Sequence, residues 1–466
     1  MSGAGDMLLA RLGADMIATG DAIPAKYHRD WAGLEPVRPL ALARPRDTEG
    51  VSALMRACHE AGIPVVPQGG LTGVSGAAHP RADGVVLSLE RLNLIEAVDA
   101  DAGVMVAGAG VVLETAQLAA LDHGMMLGID IGSRGSCQLG GVLATNAGGN
   151  TVIRYGMARD HVLGLEVVLA DGTVIEGMNR LLKNNAGLDL KQLFIGSEGL
   201  LGIITRCVLR LHPNPPAKTT AFVGCDGTDA AVALLRAARA ALGPMLSGFE
   251  VMWPSFFHYM SQASGLGSPL AGRHGAYAIL EATGFDAAAT RAATEALLAR
   301  ALEEGVIEDG VLAGSVKDER ALWAVRESPA DYPALLGPII PFDIGIPIAR
   351  MGEAVERIEA GVAGLFPSAR VLSYGHIGDS NLHVVVNVPE AGNDQPHGPV
   401  KALVYDLTRD FGGTVSAEHG IGEIKRDYIG YSRKPQEIAL MRGIKAALDP
   451  KGILNPGKSF DGAAAG

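Results

Sequence analysis

Long apolar runs, paired cysteines, a basic stripe and a dinucleotide fingerprint are all missing from this 466-residue chain, and each absence excludes something. No stretch stays apolar for the length a bilayer requires, and the amino terminus has no basic stretch followed by an apolar one, so neither a spanning helix nor a signal peptide is expected. Cys58, Cys137, Cys207 and Cys225 lie far apart with no C-x-x-C pair. That excludes a disulfide framework and a thiolate metal site and suits a reducing compartment. The net charge of −12 comes without a Lys/Arg cluster, which argues against nucleic acid as a partner. These features together point to a cytoplasmic protein, with docking on a membrane through a partner left open. No G-x-G-x-x-G follows a strand-like run, so a Rossmann nicotinamide site has no support.

Glycine, by contrast, is abundant, and it gathers in segments flanked by ordered-looking sequence. Residues 41–61 read as a strand entry and an amphipathic helix, and residues 63–67 as a buried strand. The strand ends at Pro67, itself a candidate contact, and runs into a loop that contains Gln68, Gly69, Gly70, Leu71, Thr72, Gly73, Gly76 and Ala77. Small residues there let backbone N–H groups approach an anion closely, as in pyrophosphate cradling. No Gly-Lys-Ser/Thr follows, so the loop is not a P-loop. A second such segment carries Gly132, Ser133, Gly135, Ser136, Gly140, Gly141, Ala144, Asn146, Gly148 and Gly149. It has too many glycines to be helical throughout and would let a flat ligand lie against backbone. After a strand at 163–169, a hairpin turn at Asp171-Gly172 and a returning strand, a third cluster holds Glu198, Gly199, Gly202, Ile203 and Ile204.

The proline-rich stretch 212–216 interrupts regular structure and marks a boundary. Beyond it, strand-like and helix-like segments alternate as in an α+β sheet with helices on one face. Two strands, 371–374 and 382–388, flank the turn residues 378–381. Alternation along the second strand sets His383, Val385 and Asn387 on the face opposite Leu382, Val384 and Val386. The turn brings His376 beside His383, and two nearby imidazoles suggest a metal site. Glu418 supplies the third ligand in this reading, which leaves its neighbour His419 free as a base. Two histidines and one carboxylate suit zinc, with manganese or iron as alternatives.

The run Gly-His-Ile-Gly-Asp-Ser-Asn-Leu-His, followed by Glu-His-Gly-Ile-Gly-Glu-Ile-Lys, resembles the carboxy-terminal signature of the flavin-dependent D-2-hydroxyacid dehydrogenases. That group includes D-lactate and D-2-hydroxyglutarate dehydrogenases and the glycolate oxidase D subunit. The three glycine segments resemble the flavin domain of the vanillyl-alcohol oxidase and p-cresol methylhydroxylase superfamily, so the likeness covers nearly the whole chain. It implies an α+β protein with a PCMH-type FAD-binding domain (1–214), a cap with an antiparallel sheet (215–411), and a helical segment (412–466) returning to the flavin domain. The first loop would then hold the FAD pyrophosphate, the second and third would line the ribityl chain and isoalloxazine, and Asn455 would sit near the ring. Some members of that superfamily attach FAD covalently through a His in or near the first loop, and residues 68–73 contain neither His nor Cys, so FAD is expected to be dissociable.

The implied reaction oxidises a D-2-hydroxy acid. His419 takes the hydroxyl proton, hydride passes from C2 to flavin N5, and a divalent metal on the substrate lowers the hydroxyl pKa. Arg326 pairs with the substrate carboxylate. Asn381 supports the ligand turn, and Val385 lines the substrate pocket. Relatives that act on 2-hydroxyglutarate carry a Lys before the strand aspartate and an amide two residues after the second histidine. This chain has Pro341 and Val385 there. D-lactate or another monocarboxylate is therefore expected ahead of the diacid, with D-2-hydroxyglutarate dehydrogenase and glycolate oxidase D subunit as alternatives. A quinone, a cytochrome or an electron-transfer flavoprotein would accept the electrons, and a homodimer is the expected assembly. The rival classes are a flavin-free metal hydrolase and a noncatalytic flavoprotein subunit, which purified colour and dye-linked activity of the isolated chain would separate.

Overall fold

A computed structural model describes residues 2–461, which divide into two compact units. Among these residues, the first comprises 2–148, 156–214 and 418–461, and the second 149–155 and 215–417.

In the first unit, Ile17–Thr19 (β1), Ala41–Ala43 (β2), Val65–Gln68 (β3) and Val85–Ser88 (β4) form a sheet of order β1-β2-β4-β3. Helix Thr48–Ala61 carries the chain from β2 to β3, and residues 69–84 make the crossover between the parallel neighbours β3 and β4. The ends of the helix are written in the sequence. The Asp47 carboxylate accepts from Gly50 N at 2.8 Å, and Gly62 closes the helix at φ 65°. Val51, Leu54, Met55 and Cys58 bury one stripe of it. A second sheet, β5-β6-β10-β8-β9, contains Ile95–Asp99 (β5), Val104–Gly108 (β6), Val162–Val168 (β8), Val174–Gly177 (β9) and Ile203–Arg210 (β10). Met125–Met126 (β7) and His212–Pro213 (β11) add a short pairing.

The second unit is built on a seven-stranded sheet of order β15-β12-β14-β13-β17-β18-β16. Its strands are Ala217–Cys225 (β12), Leu246–Met252 (β13), Ala276–Gly284 (β14), Asp309–Leu312 (β15), Ile340–Gly345 (β16), Arg370–Gly375 (β17) and Asn381–Asn387 (β18), and all neighbours run antiparallel. Every residue of β13 and of β18 is buried. A sheet with one wet face would alternate buried and exposed residues, so helices cover both faces, and the expectation of helices on one face is corrected. On one face Met252, Tyr277, Ile279, Leu372, Tyr374 and Val385 cluster with Phe256, Phe257, Met260, Leu322 and Val325. Those partners belong to helices Pro254–Ala263 and Val316–Glu327. Helices Thr228–Leu242, Ala287–Glu303 and Met351–Leu365 pack on the same sheet and cover the other face, where Phe249, Val251 and Leu280 are buried. Residues 412–417 stay with this sheet through the Gly345–Thr414 bridge.

Candidate active site

The loop leaving β3 has an unusual backbone. Among the described residues, the amides of Gly69, Gly70, Leu71, Thr72 and Gly73 donate to no protein acceptor, and Leu71 adopts φ 61°. Backbone N–H groups are normally paired, so a run of free ones is a ready anion cradle. The glycines divide into two kinds. A Cβ on Gly70 would collide with the Ser136 carbonyl, and one on Gly140 would lie 2.8 Å from Ala109 Cβ, so these two allow the loops and strands to pack. Gly202 does the same against Val167 and Phe194. A Cβ on Gly73, Gly132 or Gly141 would meet no protein atom within 4 Å. That open backbone and those unpaired amides are what a bound dinucleotide with a flat ring system requires, so the residues fit FAD. Pro67, Ile203 and Ile204 lie in strands, the two isoleucines buried in the core, while Ala144 ends helix Leu139–Ala144. Gly149 falls in the second unit.

Among the described residues, six non-glycine residues have left-handed backbone, and four of them are Leu71, Asn146, Glu198 and Asn455, all candidate flavin residues. Such conformations cost about 1 kcal/mol or more and persist where the surroundings impose them. The imposing contacts are visible. Asn455 Nδ2 donates to Ala77 O at 2.9 Å and to Glu198 O at 2.7 Å, joining the first and third loops. The Glu198 carboxylate accepts from Ile421 N at 2.6 Å and Gly422 N at 2.9 Å. Burial pushes its pKa up against the pull of those amides. Glu198 thus uses its side chain to hold the returning segment. Ser75 O accepts from Glu423 N and Ile424 N, and the Glu418 carboxylate lies against Gly148. Lys445 Nζ, buried, donates to Leu200 O, Leu454 O and Asp449. Glu418, His419 and Asn455 are therefore anchored among the glycine-rich loops by backbone and side-chain contacts spread over the whole return.

In the second unit, sheet register assembles side chains from distant segments. Asp343, His383, Tyr374 and Met252 form one row across β16, β18, β17 and β13. The His376 and His383 rings stand 5.4 Å apart, the latter 5.0 Å from Tyr374. Between those strands, Ser380 makes the left-handed turn at φ 73°. Asn381 Nδ2 donates to Asp343 Oδ1 at 2.9 Å, and Ser416 Oγ donates to its other oxygen at 3.2 Å.

The next row contains a residue that sequence reasoning missed. Val251 pairs with Gly375, which sets Glu250 beside His376, and His376 Nδ1 lies 2.5 Å from Glu250 Oε1. Arg326 Nε donates to Glu250 Oε2 at 2.9 Å, and its guanidinium lies over the Tyr374 ring at 4.6 Å. Arg326 is 9% exposed, so it is no surface helix residue. Burial drives the Glu250 pKa upward, but His376 and Arg326 outweigh it and hold the carboxyl below its ordinary value. The one available signal was a single charge inside the apolar run Phe249-Glu250-Val251-Met252. With Nδ1 engaged by a carboxylate, His376 keeps Nε2 as a lone-pair donor, the form in which imidazole binds metals. The His376 and His383 imidazoles, side by side, fit a divalent ion. The four cysteines take no part, since all are buried and burial pushes Cys58, Cys207 and Cys225 up to about 12.

Two family descriptions match the chain: "FAD binding domain" over residues 39–177 and "FAD linked oxidases, C-terminal domain" over residues 214–459. A Bos taurus protein named D-2-hydroxyglutarate dehydrogenase, mitochondrial, is 40% identical over 95% of this chain and 83% of its own length. A Xanthomonas citri D-2-hydroxyglutarate dehydrogenase is 38% identical over 93% of this chain and 92% of its own. A Schizosaccharomyces pombe protein named as a D-lactate dehydrogenase is 34% identical over 93% of this chain and 84% of its own. Among solved structures, p-cresol methylhydroxylase superposes with a TM-score of 0.77 at 17% identity, covering 98% of this chain and 96% of its own, which shows the shared fold. The relatives from Bos taurus, Danio rerio and Arabidopsis thaliana are named as mitochondrial, which overturns the cytoplasmic expectation. Unpaired cysteines and the lack of an apolar span suit any reducing compartment, so they could not have selected one. No described helix is long and apolar enough to cross a membrane.

Proposed function

The chain belongs to the FAD-linked oxidase family and is an oxidoreductase, and from that premise we propose that it oxidises a D-2-hydroxy acid with a short or apolar tail, D-lactate or 2-hydroxybutyrate, to the 2-oxo acid. FAD, held without a covalent bond by the loops at 67–77, 132–149 and 198–204, supplies the hydride acceptor. A divalent ion on His376, His383 and Glu418, with zinc first in order, supplies a Lewis acid for the substrate hydroxyl. The protein's own groups do the rest. Arg326 has five N–H donors, and Glu250 engages only part of that fork, so the remainder can bind the substrate carboxylate. His419 removes the hydroxyl proton as general base. Electrons leave to a quinone, a cytochrome or an electron-transfer flavoprotein.

The observation that carries the choice of tail is Val385, buried in an apolar cluster with Leu372, Tyr374, Val325 and Leu336, and paired across the strands with Pro341. A second carboxylate against that wall would lose water without gaining a partner, at a cost of several kcal/mol. The diacid reading rests on the names of the relatives at 40% and 38% identity. Comparing kcat/KM for D-lactate, D-2-hydroxybutyrate and D-2-hydroxyglutarate with one dye acceptor decides between them. The monocarboxylates should lead. A tenfold lead for the diacid, about 1.4 kcal/mol, would reverse the assignment.

A further inference from the structure

We propose that Glu250 is the positioning residue that fixes His376 and Arg326 together, so that metal affinity and substrate-carboxylate binding depend on one buried carboxylate. The inference rests on the reading of His376 as a ligand and Arg326 as the substrate's partner. Glu250 is 1% exposed and sits mid-strand in β13, where apolar side chains would pack more easily. It meets two groups from separate elements. Oε1 lies 2.5 Å from His376 Nδ1, just past the end of β17, and Oε2 accepts from Arg326 Nε at 2.9 Å on helix Val316–Glu327.

Arg326 donates to the other oxygen of this carboxylate, and the short contact with His376 is the one in which Nδ1–H donates and Glu250 Oε1 accepts. That choice leaves the Nε2 lone pair as the only ligand atom and sets the plane of the ring. The same carboxylate turns the guanidinium, whose Nη2 stands 3.5 Å from His376 Nε2 and whose face rests on Tyr374. The cation that would hold the substrate and the nitrogen that would hold the ion are thereby kept side by side. Removing the charge of Glu250 should loosen both at once, whereas removing Arg326 should loosen the substrate alone.

The test uses full-length FAD-loaded protein stripped of metal and titrated with Zn(II) against a chromogenic chelator. Glu250→Gln should lower zinc affinity 10- to 100-fold, the usual effect of losing a ligand's hydrogen-bond partner, and raise KM for the hydroxy acid, while flavin content stays at one per chain. Arg326→Gln should raise KM with zinc affinity within threefold of wild type. Zinc affinity unchanged in Glu250→Gln, while His376→Ala loses it, would overturn this inference alone. Retention of zinc by His376→Ala would instead overturn the ligand reading beneath it. A measurement on unaltered protein covers the case of a misfolded variant. Long-range ¹H–¹⁵N correlation of labelled histidines should show His376, assigned by its loss in His376→Gln, with its proton on Nδ1. A proton on Nε2 in metal-free protein would refute the proposal.

Discussion

The two units hold their chemistry in different materials. The first presents backbone: unpaired amides at residues 69–73, open glycines at 73, 132 and 141, and left-handed turns at Leu71, Asn146, Glu198 and Asn455. The second presents side chains, Glu250, Arg326, His376 and His383, delivered to one sheet face by strand register and a covering helix. A backbone cradle tolerates many changes of side chain except at glycine. A side-chain cluster is lost when one atom group goes. Substitutions should therefore separate binding of flavin from turnover.

The largest effect should come from His419. In His419→Ala, flavin and metal content should remain those of wild type while kcat falls by about two to four orders of magnitude, the usual contribution of a general base. Steady-state turnover with D-lactate and a dye acceptor measures this, and a fall of less than tenfold would remove His419 from the reaction.

Acid should next distinguish the units. His161 is wholly buried in the first unit, and burial, reinforced by His212, lowers its pKa to about 4. Because the folded pKa lies below the unfolded 6.5, the fold binds the neutral ring. The associated stability is complete above 6.5 and is lost as pH falls from 6.5 towards 4, roughly 3 kcal/mol in all. Melting curves over that range should slope steeply for wild type and less steeply for His161→Asn. Equal slopes would mean that the ring is not held neutral.

Two glycine variants give the smallest and most selective effects. Gly70→Ala drives a methyl into the Ser136 carbonyl and should cost about 1–3 kcal/mol of stability as well as flavin. Gly73→Ala meets no protein atom, so it should leave the melting temperature within a degree or two yet weaken FAD binding about tenfold, near 1.4 kcal/mol. Flavin titration of both apoproteins makes the comparison. Unchanged FAD affinity in Gly73→Ala would show that the open backbone faces nothing.

The same contrast explains what the sequence could reveal. The cradle was legible because its chemistry is local: glycines close together mark where backbone can come near a ligand. The histidines were legible because a turn of known composition separates them. Glu250 was not, because nothing near residue 250 announces residue 376. Only the pairing of Val251 with Gly375 brings them together, and register between strands over a hundred residues apart leaves no local trace. Helices on both faces of the second sheet were missed for a related reason, since a strand buried on both sides reads as plain apolar sequence.

If the chain holds flavin and metal by independent means, His383→Ala should lose one and keep the other. Purified protein should be analysed for metal and then precipitated with acid to measure released flavin. Metal should be near zero, with one flavin per chain and all of the yellow colour in the supernatant. Full metal occupancy in this variant, or flavin lost together with the metal, would contradict this expectation.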